Sequence, residues 1–179
     1  SVPVGLAPAP PWERWNDYGI GLLRKARGRQ LRQAEQAFAA VWTGKAESDG
    51  FNKLILALPC SWREAALIRA LARYRQQTGL DPTQAMQEQA LANNTKIAAL
   101  ILAFFKARFD PHLPETMDTR IARSSKLEFM IESKLTEVVS LDEDRALRRI
   151  SQLVKAIRRT NYYQSGPDRE PKSYMSFKI

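Results

Sequence analysis

Apolar residues recur along this chain at every third or fourth position, with polar and charged residues between them. That spacing predicts helices, because it lines one helical face with side chains that need a core. Leu31, Ala34, Phe38, Val41 and Trp42 mark a helix over Gln30–Thr43, ended by Gly44. The connector KAESDG leads to a short apolar helix over Phe51–Leu58, stopped by Pro59. Ser61 and Glu64 have capping-box spacing and open a helix with Leu67, Ala70, Leu71 and Tyr74 on one face and Gly79 just past its end. Asp81-Pro82 signals the next start, and that helix runs to Asn93-Asn94. Thr95–Arg108 gathers Ile97, Leu100, Ile101, Phe104 and Phe105 among alanines, so it is expected to be central and buried. After the Pro-punctuated turn FDPHLPE, Glu115–Val139 carries Leu127, Ile131, Leu135 and Val138.

The stretch Ser140–Gln164 reads as one complete helix. Ser140 and Glu143 form a second capping box, and Asp142, Glu143 and Asp144 crowd the first turn, where the helix dipole favours anions. Leu147, Ile150, Leu153, Val154 and Ile157 make the apolar stripe, and Arg145, Arg148, Arg149, Lys155, Arg158 and Arg159 lie largely off it. The ends of the chain break the pattern. Residues 1–11 hold four prolines, and WERWNDYGIGLL reads as a strand or a short helix. At the other end SYMSFKI alternates, with Met175, Phe177 and Ile179 facing one way and Tyr174, Ser176 and Lys178 the other. That is a strand pattern with no partner in view, as expected of a segment cut from a longer protein. The expected fold is an all-α, irregular bundle of six or seven helices with extended, strand-like ends.

Composition narrows the chemistry. One cysteine, Cys60, excludes an internal disulfide framework and fits a reducing, cytoplasmic compartment. One histidine, His112, excludes metal motifs built on His pairs. No apolar run is long enough to span a membrane. The net charge of +9 permits an anionic partner such as nucleic acid, with Arg158 and Arg159 beside Tyr162 and Tyr163 as the best candidate surface. No helix-turn-helix or RNA-binding signature accompanies it. The preferred alternative pairs these arginines with acids and packs the tyrosines against an adjoining domain.

Candidate catalytic groups are sparse. Gly19-Ile20-Gly21 begins a phosphate-loop pattern but has Arg24 where a third glycine belongs, and Gly44-Lys45 lacks P-loop spacing. Cys60 and His112 fall on different connectors and are expected to be a structural thiol and a loop residue. Glu128 and Glu132 share a helix face, where a solvated surface is expected rather than a carboxylate pair for acid–base work. Phe104, Phe105, Trp42 and Trp62 stand at helical spacing and are expected in the core.

AESDGFN (46–52), SWRE (61–64), RFDP (108–111), SLDEDR (140–145) and RTNYYQ (159–164) occur in this order, with the TQAMQEQAL helix among them. Together they resemble the large bacterial NAD-specific glutamate dehydrogenases, over about Phe38 to Ile179. Residues 21–37 match only loosely, and Pro59-Cys60 replaces a small, apolar pair before SWRE.

The resemblance implies a helical region between N-terminal regulatory modules and a catalytic core. Residues 1–29 would then be the lead-in from a preceding module, 30–164 the helical domain, and 165–179 a linker and strand towards the core. It implies an enzyme parent that oxidises glutamate with NAD, and a segment inactive by itself. No catalytic, cofactor-binding or metal-binding residue carries over. The expected roles are coupling of regulatory modules to the core and support of oligomer contacts. Arg158, Arg159, Asn161, Tyr162, Tyr163 and Gln164 are the candidate interdomain contacts. Other domains and subunits of the parent are the expected partners, and the alternative is a stand-alone basic helical module binding nucleic acid or protein.

Overall fold

The computed structural model describes residues 28–76 and 83–179. The chain forms α1 (Arg29–Trp42), a 3-10 turn at Gly50–Asn52, α2 (Lys53–Ala57), α3 (Trp62–Gln76), α4 (Gln84–Asn93) and α5 (Thr95–Phe109). It continues with α6 (Met117–Leu135), α7 (Leu141–Ala156) and two short strands, β1 (Arg159–Thr160) and β2 (Phe177–Lys178). The all-α, irregular bundle predicted from the spacing is therefore what these residues build. WERWNDYGIGLL, the lead-in 1–27, Gly79 and Asp81-Pro82 lie outside the described residues.

Helix α5 is central, as its composition predicts. Ile97, Ala98, Ile101, Leu102, Phe104, Phe105 and Ala107 are all buried, and α4, α6 and α7 pack around it. Its alanines let neighbouring backbones approach, while its aromatics fill the volume between them. On α6, Ile131 and Leu135 are buried, and Leu127 and Val138 pack against the same core, which confirms that stripe. On α7, Leu147, Ile150, Leu153 and Val154 are buried, and Ile157 follows them into the core.

The stop after α1 is as expected. Gly44 takes a left-handed φ of 71°, its N–H donates to Val41 O and the Lys45 N–H to Ala40 O, at 3.1 and 2.8 Å. This crossed pair satisfies the last carbonyls of the helix, and only glycine adopts that φ without strain.

Three expectations need correction. The first concerns the face of α1. Ala34, Ala37 and Ala40 are the buried residues, whereas Leu31 and Phe38 are exposed and Trp42 is 65% exposed. The small residues allow α1 to lie close against α2 and α3. Phe38 and Trp42 stack on each other at 6.1 Å on the outer side. Trp62, by contrast, is partly buried against the core.

The second correction concerns the end of α7. The helix stops at Ala156 rather than running to Gln164. Ile157 is already extended (φ −60°, ψ 129°), and Arg159–Thr160 forms a strand. No glycine or proline ends this helix. The guanidinium of Arg108 does so, donating to the carbonyls of Val154, Lys155 and Ile157 at 2.5, 2.6 and 3.1 Å. These are carbonyls that would otherwise lack partners.

The third follows from the second. The terminal strand has a partner after all: β2 pairs antiparallel with β1, Arg159 opposite Lys178 and Thr160 opposite Phe177. Met175 and Phe177 pack against the core, and Tyr174 and Lys178 face outward, in the predicted alternation. Ile179, on the inward register, is half exposed.

Candidate functional site

The residues singled out at the end of the basic helix converge on a joint, where α7, the β1–β2 hairpin, α3 and α5 meet. Asn161 is only 7% exposed and acts as a clamp. Its Nδ2 donates to Tyr174 O at 3.0 Å, and its Oδ1 accepts from the Ser176 N–H at 2.7 Å. One side chain thus satisfies both polarities of the returning backbone, which few residue types can do. Replacing Asn161 with alanine leaves both groups unpaired and is expected to cost about 1–3 kcal/mol. Hydrogen exchange should show this as faster exchange at Ser176 and Phe177 than elsewhere in the bundle.

Tyr162 and Tyr163 pack inward. Tyr162 meets Phe105 edge-on at 5.5 Å and Tyr163 edge-on at 4.9 Å, and Phe105 also contacts Phe109 at 4.9 Å. Arg63 lies over the Tyr162 ring at 5.1 Å and donates to Tyr162 O at 3.0 Å. Burial, with Glu64 nearby, pushes the Tyr162 hydroxyl up to about 12. Burial also raises Tyr163, whose hydroxyl oxygen is buried with no hydrogen-bond partner among the described residues. Both rings therefore stay neutral in the physiological range and serve as packing.

The capping boxes differ. At α3 the box is complete: the Ser61 N–H donates to Glu64 Oε2 at 2.6 Å, and the Glu64 N–H to Ser61 Oγ at 3.3 Å. Glu64 also pairs with Lys106 of α5. Burial alone would raise the Glu64 carboxyl, but bonds from Lys106 and the Ser61 backbone outweigh it and hold the carboxyl below its ordinary range. At α7 only half of the expected box forms. Ser140 Oγ accepts from the Glu143 N–H, but the Glu143 carboxylate accepts from Asn93 and Asn94 at 2.7 and 2.8 Å. Tertiary partners outbid the local one, and the result ties α7 to the end of α4.

The basic face of α7 is largely neutralised. Arg148 pairs with Asp144 and Glu132, Lys155 with Glu128, and Arg145 lies near Asp142. Glu128 and Glu132 are thus ion-pair partners across α6 and α7. Arg158 and Arg159 remain exposed with no ion pair among the described residues. Gln164 is exposed at the hairpin mouth, where its Oε1 accepts from Lys172 Nζ at 3.2 Å. Of the six candidate contacts, Asn161 and Tyr162 are consumed inside the chain, Tyr163 is partly so, and Arg158, Arg159 and Gln164 face outward.

The catalytic candidates are structural in this setting. Cys60 is buried, its thiol directed at Leu54 O at 3.4 Å, and burial pushes it up to about 12. A thiol so held is a poor nucleophile at neutral pH. His112 is exposed in a turn, where its backbone N–H donates to Asp110 Oδ1. Gly44-Lys45 stands at the C-terminal end of α1, among carbonyls, which is the wrong polarity for a dinucleotide phosphate. These residues do not fit NAD. Among the described residues no cluster of His, Cys, Asp and Glu is arranged to hold a metal ion, and no helix is long and apolar enough to cross a membrane.

Sequence reasoning missed Arg63, Arg69 and Arg108, which hold the bundle by gripping backbone carbonyls and, for Arg69, the Asp49 carboxylate. Their only local signal is position: Arg63 lies inside a capping box, and Arg108 in the last turn of a helix before Asp-Pro.

Two family models match the chain in order. "Glutamate dehydrogenase, helical motif 3" covers residues 46–111, and "Bacterial NAD-glutamate dehydrogenase, catalytic domain" covers 130–179. The NAD-specific glutamate dehydrogenase of Pseudomonas aeruginosa is 41% identical over 84% of this chain. That of Halomonas elongata is 37% identical over 80%, and that of Mycobacterium tuberculosis 32% over 76%. The chain spans only about 9% of the length of the first two relatives and 8% of the third. No solved structure matches it. The joint gathers SWRE, RFDP and RTNYYQ, and the matches run through all five of the quoted motifs: this chain belongs to the family of the large bacterial NAD-specific glutamate dehydrogenases.

Proposed function

We propose that this chain is a non-catalytic helical segment of an NAD-dependent glutamate dehydrogenase, coupling regulatory modules to the catalytic core or supporting oligomer contacts. The parent reaction would convert L-glutamate, NAD and water to 2-oxoglutarate, ammonia and NADH, with NAD bound outside these residues. The observation that carries this proposal is that the polar groups of the matched motifs are used on the chain itself, Arg63 on Tyr162 O, Arg108 on the carbonyl end of α7 and Asn161 on the terminal strand. Helical motif 3 ends at the tip of α5, and the catalytic-domain match begins within α6. Helices α3 and α5 of the first match and the segment after α7 in the second then pack on one another at the joint, through Arg63 and Phe105. In the proposed organisation 1–29 lead in from a regulatory module, 30–164 form the helical unit, and 165–179 pass towards the core.

Two features support a mechanical role. The ionisable groups at the joint are spent on packing and ion pairs, and Arg158, Arg159 and Gln164 are left facing outward. Incubating the isolated chain with glutamate and NAD should give no NADH absorbance at 340 nm above buffer. Steady glutamate-dependent turnover would overturn the non-catalytic assignment.

A further inference from the structure

A groove of about 670 Å³ runs between α5, α6 and the α7–β1 junction. Its walls differ in chemistry. Arg108, Arg120, Arg158 and Arg159 line it, and none of the four forms an ion pair among the described residues. The only acid lining it, Glu128, is already paired with Lys155. On the α6 side Met117 and Ile121 are 72% and 58% exposed, one helical turn apart.

The two inner arginines are committed to the fold. Arg108 holds the carbonyl end of α7, and Arg120 Nε donates to Ala107 O at 3.2 Å. Each still contributes a full charge, and the crowding is felt: burial, together with the neighbouring Arg158, lowers Arg108. Arg158 and Arg159 make no side-chain bond among the described residues, so their whole guanidiniums are free to bond a ligand, whereas Arg120 keeps only its terminal nitrogens. Two free donors beside an apolar ledge suit carboxylates carried on a chain with apolar side chains. They suit nucleic acid poorly, because it would need many phosphate contacts and gains nothing from Met117 and Ile121. A lone oxyanion would leave the ledge and most of the volume empty.

We infer that this groove docks an acidic amphipathic protein segment, with carboxylates on Arg158 and Arg159 and apolar side chains on Met117 and Ile121. This is a helix-in-groove arrangement in which charge sets orientation and apolar area sets affinity. The inference deepens the connector proposal by naming a docking face, and it is tested separately from it.

The test is titration of the full chain with a labelled 16-residue helical peptide bearing glutamates on one face and leucines on the other. A scrambled peptide of equal composition and a duplex oligonucleotide serve as comparisons, at two salt concentrations. The helical peptide should bind saturably, more weakly at high salt. R158E/R159E and Ile121→Asp should each weaken it at least tenfold. All these positions are exposed, and circular dichroism would verify that the variants fold. The proposal is overturned by absent binding, by equal binding of the scrambled peptide, by indifference to both variants, or by tighter binding of the oligonucleotide. Failure here leaves the NADH assay untouched, and turnover in that assay leaves the groove untouched.

Discussion

Replacing Arg69 with alanine is expected to cost about 3–5 kcal/mol of folding stability. The side chains of Arg69 and Asp49 are 6% and 11% exposed, and two hydrogen bonds join them, at 2.6 and 2.7 Å. The same guanidinium donates to Asn52 Oδ1 at 3.0 Å and Glu47 O at 3.2 Å, so three residues of the AESDGFN motif close on one arginine of α3. Asp49 also caps the 3-10 turn by accepting from the Phe51 N–H. The main cost of R69A is the largely buried Asp49 carboxylate left with only the Phe51 N–H and the more distant, half-exposed Arg73, 3.9 Å away, rather than the lost attraction. Denaturant unfolding of R69A, D49A and the double variant should therefore show the double well below the sum of the singles. A loss under about 1 kcal/mol for R69A would sink this account, since that is the scale of an exposed pair.

Phe105→Ala should cost a similar amount, about 3–5 kcal/mol, through lost transfer energy and the cavity left behind. Phe105 is fully buried and touches the rings of Phe109, Tyr162 and Tyr163, so it carries the contact between α5 and the joint. Near-UV circular dichroism should lose tyrosine signal in the folded variant, because Tyr162 and Tyr163 lose the surface that orders them. Phe105→Leu fills part of the space and should recover a good share of the stability. If Phe105→Ala leaves both the stability and the tyrosine signal unchanged, the joint is not packed as described. Each change alone removes a large part of the 5–15 kcal/mol typical of a domain.

The motifs that carry the family resemblance turn out to be contacts between elements. Asp49 and Asn52 of AESDGFN meet Arg69, Arg63 of SWRE meets the backbone at Tyr162, and Glu143 of SLDEDR meets Asn93 and Asn94. Arg108 of RFDP holds the end of α7, and Asn161 of RTNYYQ holds the terminal strand. Such motifs look like catalytic signatures in a sequence, because polar residues in fixed positions suggest chemistry. Here their polar atoms are used on the chain itself. The sequence marks Arg158 and Arg159 together with their neighbours, and the structure separates them as arginines left outward and unpaired among the described residues.

Periodicity, capping residues and breakers determined the helices and their approximate limits, and the central place of α5 with its aromatics. These are local properties: a stripe and a cap depend on residues a few positions apart. The motif order likewise determined the family. The tertiary structure decided where α7 ends, because the group that stops it, Arg108, lies 46 residues from Val154, whose carbonyl it holds. It decided that Glu143 serves α4 rather than its own cap, that α1 buries alanines instead of Phe38 and Trp42, and that the last strand has a partner. In each case the deciding contact joins parts of the chain far apart in sequence, which spacing within a single element does not reveal.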